Sequence, residues 1–167
     1  VLFDGNTVNQ FVITYQDWLL GNFGSAIIGT ISGTGLTFGT PTVFNSNSTP
    51  NIHAAFDSTA TGKFVVAYAN QGGNASYGTI REGTVSGSVI SFDTPVVFNA
   101  GSTTWTSISF DPNAAGKFVI AYEDDGNSSK GTAVSGQMSS APSTNLTATN
   151  FIGISSAAYA NAATASI

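Results

Sequence analysis

Residues 56–68 read FDSTATGKFVVAY, and the chain repeats this phrase in altered form as FDPNAAGKFVIAY at 110–122 and FDGNTVNQFVITY at 3–15. In each copy two Phe stand eight residues apart, the first followed by Asp and the second opening a five-residue apolar run. The leading Phe of the three copies are Phe3, Phe56 and Phe110, so the period is almost constant. Self-similarity at a fixed period marks an array of one supersecondary unit, each unit burying its apolar faces against its neighbours.

Outward from the phrase, the rest of each unit recurs at the same spacing. In the first, Val1 to Asp4 reads as the remainder of a strand, Gly5 to Gln10 as a turn and Phe11 to Tyr15 as a second strand. Gln16 to Asn22 is a loop, Gly24 to Ser32 a third strand and Leu36 to Phe44 a fourth. That fourth strand should be broken near Pro41, because proline has no N–H to give a ladder. The second unit answers with Ile52 to Asp57, Phe64 to Tyr68, Ser76 to Gly87 and Val89 to Phe98. Gly24, Gly29, Phe38, Pro41 and Phe44 are matched by Gly78, Gly83, Phe92, Pro95 and Phe98, all five pairs at one and the same offset. The third unit holds through Gly131 and Gly136, after which MSSAPSTNLTATN replaces the expected fourth strand.

These spacings predict an all-β fold of three four-stranded repeats of about 53 residues, at 1–49, 50–103 and 104–139. A small-residue linker follows over 140–150, then an Ala-rich stretch over 151–167 that reads as the start of a further module or tail. In Phe64–Tyr68 alternate residues on both faces are apolar, so this strand should lie between two covering layers. The third strand, with Arg81 and Glu82, should face solvent. Four-stranded units apolar on both faces of their inner strands suit β-propeller-like blades packed face to face; a β-solenoid and a trimeric fibre prism are the competing arrays. Three blades do not close a ring, since propellers have about four to eight, so a homo-oligomer or a longer polypeptide is expected. Val1 falls inside a repeat and is not an initiator Met, as in a piece of a longer chain.

Composition narrows the chemistry. Only 8% of the 167 residues are charged, and the 19 Gly and 12 Phe suit a turn-rich sheet protein. A net charge of −5, with four Lys and Arg in all, argues against nucleic acid as a partner. Without cysteine there are no disulfides, thiolate zinc sites or thiol catalysis. No apolar run approaches the ~18 residues of a membrane span. His53 is the single histidine and reads as an imidazole partly exposed on one unit; nothing around a serine marks a nucleophile elbow. Asp4, Asp57 and Asp111 each precede a turn and read as Asx-type turn closures rather than catalytic carboxylates. No catalytic residue is assigned.

Binding is expected in the loop after the second strand, the part that varies while the frame stays constant: QDWLLGN, ANQGGN and EDDGNSS. Asp17, Asn70 and Asp124 occupy equivalent positions there, and Asn74 and Asn127 stand near the ends of the second and third loops. Trp18, followed by Leu19 and Leu20, is a candidate for stacking on a sugar ring or for packing on a neighbouring module; Tyr77 is a second stacking candidate, and Trp105 reads as core. Asp124 and Asp125, with Asn127 and Ser128, offer oxygen atoms to a calcium ion, without the EF-hand spacing or its terminal Glu. No other cofactor is suggested.

The phrases GKFVVAY (62–68) and GKFVIAY (116–122), with GTVSG (83–87) and FDTPVVF (92–98), resemble a tandem repeat of large structural proteins of marine bacteriophages, especially tail and fibre proteins. The segment LTATNFIGISSAAYANAATASI, Leu146–Ile167, is similar to a stretch that follows such arrays. The resemblance implies a repetitive, non-enzymatic virion-surface component, extracellular and among other virion subunits, that displays loops toward a host cell or spaces out other modules; a host cell-surface glycan is the candidate ligand of those loops. It brings no catalytic residues, and the third repeat departs from it by losing its fourth strand.

Overall fold

The structure, a computed structural model, describes residues 1–73 and 75–139; the expected linker at 140–150 and module at 151–167 lie outside the described residues, as does Asn74. It is all-β, with two antiparallel sheets. The first is built from β1 (Leu2–Phe3), β2 (Gln10–Asp17) and β3 (Phe23–Ser32), with β4 (Gly35–Phe38) and β5 (Thr42–Ser48) sharing the far edge of β3. The interruption between β4 and β5 falls at Gly39–Pro41, where the sequence places the missing N–H. The second sheet holds β6 (His53–Phe56), β7 (Lys63–Asn70), β8 (Tyr77–Ser86), β9 (Val89–Phe92), β10 (Val96–Phe110), β11 (Lys117–Asp124) and β12 (Lys130–Gln137).

The second sheet turns on β10. Its first residues, Val96 to Ser102, pair with β8, and its last, Thr103 to Phe110, pair with β11. The boundary expected between 103 and 104 therefore lies inside a continuous strand. The equivalent junction one repeat earlier holds Pro50, which cannot donate, and there the strand lapses between β5 and β6. Thr104 has the N–H that Pro50 lacks, and it pairs with Glu123. A register shift between Thr104 and Ser107 bulges the strand, and Trp105 within it takes φ 53°, as Asn51 takes φ 55° at the matching position.

Two apolar clusters, one on each side of β7, hold three layers together: β1–β5, then β6–β9 with β10 up to Ser102, then the rest of β10 with β11 and β12. Phe64, Val66 and Tyr68 pack with Val12, Ala26, Ile28 and Phe44; Val65 and Ala67 pack with Ile108, Phe118, Ile120, Tyr122 and Val134. Every residue from Phe64 to Ala69 is fully buried, as the double-faced apolar pattern of that strand requires. Each large side chain so buried contributes roughly 1.5–3 kcal/mol.

Recurrent glycines have a packing reason. Phe11, Phe64 and Phe118 stand directly across from Gly29, Gly83 and Gly136 on the next strand. A Cβ on those glycines would lie 2.1, 2.2 and 2.4 Å from the opposing ring. Each ring covers the backbone of the glycine that faces it, so the Phe and the Gly recur together.

The third strand does not face solvent as expected. Glu82 is buried, and Arg81 is half-buried with its guanidinium donating to the carbonyl oxygens of Phe44, Phe92 and Asp93. β8 is an interior strand between β7 and the β9–β10 edge, so its charged residues are held by hydrogen bonds.

Candidate functional site

The loops that follow β2, β7 and β11 all carry their variable residues at one end of the sheets, and side chains from the preceding layer bind two of them. Asn70 Oδ1 accepts from Asn45 Nδ2 (3.2 Å), Asn47 Nδ2 (3.1 Å) and Gly72 N (3.1 Å). Asp124 Oδ1 accepts from Asn99 Nδ2 (3.3 Å) and Gly126 N (3.1 Å). Asn45 and Asn99 are one repeat apart, as are Asn70 and Asp124, so one inter-layer contact occurs twice. Asn70 and Asp124 thus position the loops, each with its Oδ1 turned toward the protein.

The candidate calcium pair is engaged in the same way. Asp125 accepts from Ser102 Oγ (2.7 Å) and Ser129 Oγ (3.2 Å), and Asp124 caps the short 3-10 turn Asp125–Asn127. Among the described residues no group of three or more His, Asp or Glu converges as a metal site. Among the described residues Asn127 Nδ2 is buried without a hydrogen-bond partner.

Asp17 opens the first loop. It caps the 3-10 turn Trp18–Leu20 by accepting from Leu19 N at 3.0 Å, and Gly21 closes that turn in the left-handed conformation at φ 79°. The cap drives Trp18 and Leu19 outward, with Trp18 84% exposed. Trp105 is 76% exposed rather than buried, because the bulge of β10 turns it out of the sheet. Tyr77, which pairs with Asn70 and Ser102 at the start of β8, is also partly exposed. The loop end therefore bears three exposed aromatic side chains on a polar, hydrogen-bonded rim.

The opposite end carries the acids that recur with the phrase. Asp4, Asp57 and Asp111 use Oδ1 alike, accepting from the backbone of Asn6 (2.9 Å), Thr59 (2.8 Å) and Asn113 (2.9 Å). The second oxygen does something the turn reading did not include. Asp4 Oδ2 accepts from Gly62 N at 3.1 Å, and Asp57 Oδ2 from Gly116 N at 3.0 Å, each reaching into the following layer. Asp4 and Asp57 are buried, whereas Asp111 is exposed. Asp111 lines a cleft of ≈ 300 Å³ with Lys117, Phe118, Val119, Ser135, Gly136 and Gln137.

His53 belongs to the frame. Its Nδ1 accepts from Ile108 N at 3.0 Å, joining β6 to β10, and burial holds its pKa below the usual imidazole value. Glu82 is the strongly perturbed acid: burial pushes its carboxyl up to about 7 although Ser139 N donates to it at 2.9 Å. The hydrogen bonds to these two groups come from backbone N–H groups, those of Ile108 and Ser139, and assign neither to an acid–base pair. Among the described residues no helix is long and apolar enough to cross a membrane. Comparison with known protein families, curated proteins and solved structures finds no match.

Proposed function

We propose that this chain is a non-enzymatic structural and interaction module of a phage virion appendage (tail, fibre or capsid decoration), built of β-propeller-like blades and presenting its variable loops to the host surface. The observation that carries this reading is the division of labour between a repeated frame and a changing rim. Asp4, Asp57, Asn70, Asp124 and His53 are committed to hydrogen bonds that join layers or close turns, which leaves no converging catalytic constellation among the described residues. Trp18 sits exposed on one of the loops of unequal sequence, and the exposed Tyr77 and Trp105 sit on β8 and β10 at the same end. A scaffold that keeps its layers constant and varies its tips serves attachment and display. The resemblance of the repeat phrase and of Leu146–Ile167 to marine phage structural proteins supplies the setting. Gold-labelled antibody raised against the purified chain tests it: decoration of a virion appendage is expected, and labelling confined to bacterial cell envelopes overturns it.

A second reading is a lectin-like propeller of a bacterial surface adhesin, favoured by the exposure of Trp18, Tyr77 and Trp105 on one rim. Saccharide titration followed by tryptophan fluorescence distinguishes it, with saturable quenching lost in Trp18→Ala as the supporting result. A fragment of a polysaccharide hydrolase ranks behind both, because the acids at 57 and 124 are held as hydrogen-bond acceptors between layers.

A further inference from the structure

The two outer faces of the array are the two halves of the interface that already occurs twice inside it. At the leading face, Phe3, Phe11, Ile13, Tyr15, Leu36 and Phe38 stand at the positions that Phe56, Phe64, Val66, Tyr68, Ile90 and Phe92 occupy where the second layer meets the first. Ile90 is 4% exposed, whereas Leu36 is 57% exposed. At the trailing face, Val119 and Ala121 stand where Val12 and Thr14, and then Val65 and Ala67, meet the following layer. Val12 and Val65 are 0% exposed, and Val119 is 51% exposed.

The polar latch is divided in the same way. Asp111 holds its turn with Oδ1, as Asp4 and Asp57 do, and no hydrogen bond reaches its Oδ2 from a further layer among the described residues. At the leading face Asn9 occupies the place of Gly62 and Gly116. Its φ is 63° where theirs are 69°, and its carbonyl accepts from Ile31 N (2.9 Å) as theirs accept from Val85 N and Met138 N (2.8 Å each). Its backbone N–H is therefore oriented as are the two that bind Asp4 and Asp57.

We propose that two copies of this chain associate head to tail, the leading face of one on the trailing face of the other, with Asp111 accepting from the Asn9 N–H of the second copy. Continuity with the two internal interfaces selects this occupant: the same apolar positions and the same carboxylate-to-amide bond are offered, one half at each end. The contact is heterologous, so it either closes into a ring or propagates as a chain. Two copies carry six sequence repeats, within the roughly four to eight blades of closed propellers, so a two-copy ring is the smallest closed product. Each copy carries −5, so association strengthens as salt screens the repulsion. The inference is independent of what the loop rim binds and of the virion setting.

Light scattering on the full 167-residue chain across concentration tests it, with Leu36→Lys disabling the leading face and Val119→Lys the trailing face. Both positions are exposed, so far-UV circular dichroism should be unchanged. The wild-type chain is expected at twice or a higher multiple of 17.0 kDa. Each Lys variant alone should be monomeric, and an equimolar mixture of the two should recover a one-to-one pair through its remaining intact faces. Asp111→Asn keeps the turn cap but points an amide donor at an N–H, and should weaken association at least tenfold. A monomeric wild-type chain, association that survives both Lys substitutions, or a mixture that stays monomeric overturns the proposal.

Discussion

The Oδ2 atom of Asp4 lies 3.1 Å from the backbone nitrogen of Gly62, although 58 residues separate them. Asp57 and Gly116 repeat the bond at 3.0 Å. One carboxylate thus closes its own turn with one oxygen and holds the next layer with the other. A charged acceptor buried between layers is strong because its donors would otherwise lose water without replacement.

Asp57→Ala should therefore destabilise the chain by about 2–4 kcal/mol, since it strands the N–H groups of Thr59 and Gly116 and the hydroxyl of Thr59. Asp111→Ala removes the turn bond to Asn113 alone among described contacts and should cost about 1 kcal/mol or less. Urea unfolding of the two variants, at dilutions where the chain is monomeric, measures the difference; equal losses would rule out the inter-layer role of Asp57.

Glu82 should make the protein less stable as pH rises. Burial lifts its folded pKa to about 7 from 4.5, so the folded state binds the proton more tightly than the unfolded chain. Its contribution is fully present below pH 4.5, declines above it and is lost as pH rises through 7. The loss is about 2 kcal/mol, the full shift being reduced by solvent screening. Glu82→Gln keeps an oxygen for Ser139 N and removes the titration. Urea midpoints at pH 5 and pH 8 should differ more in the wild type than in this variant.

Gly83→Ala should cost about 1–3 kcal/mol, because the new methyl would lie 2.2 Å from the Phe64 ring in a fully buried position. Gly5→Ala, where a Cβ meets nothing within 4 Å, should be neutral. Thermal unfolding of the pair separates a packing requirement from a general intolerance of turn glycines.

Trp105→Asn should raise the melting temperature, by relieving about 1 kcal/mol of strain from an aromatic residue at positive φ. Asn51 already occupies the matching position at φ 55°. If the exposed indole serves recognition, the same variant should lose ligand-dependent fluorescence quenching while gaining stability. A lower melting temperature would mean that Trp105 makes contacts that outweigh its backbone cost.

Local chemistry made much of this fold readable. The apolar runs, the glycine turns and Pro41 located β2, β3 and the break between β4 and β5, because each depends on residues adjacent in the chain. The Oδ1 bond of each turn aspartate was legible for the same reason. Its Oδ2 bond was not, because the partner amide lies one layer away and nothing in the local spacing names it. Arg81 and Glu82 were misplaced because charge argues for solvent, whereas here backbone carbonyls and the Ser139 N–H receive them. Trp105 was misplaced because its exposure comes from a bulge, which shows in register and not in composition. At the rim, loop variability singled out Asp17 and Trp18, and the cap that turns Trp18 outward is again a bond between neighbours in the chain. That Asn70 and Asp124 face inward depended on Asn45 and Asn99, 25 residues upstream in each case.

The single strand β10 gives the array an uneven grain. Residues on either side of Thr103 share one uninterrupted backbone, so a pull along the chain loads the ladders of β8 and β11 together. The earlier junction, through Pro50, carries tension across a stretch that is not strand. The first layer is therefore the one that peels away under force, while β6 to β12 stay together as one mechanical piece.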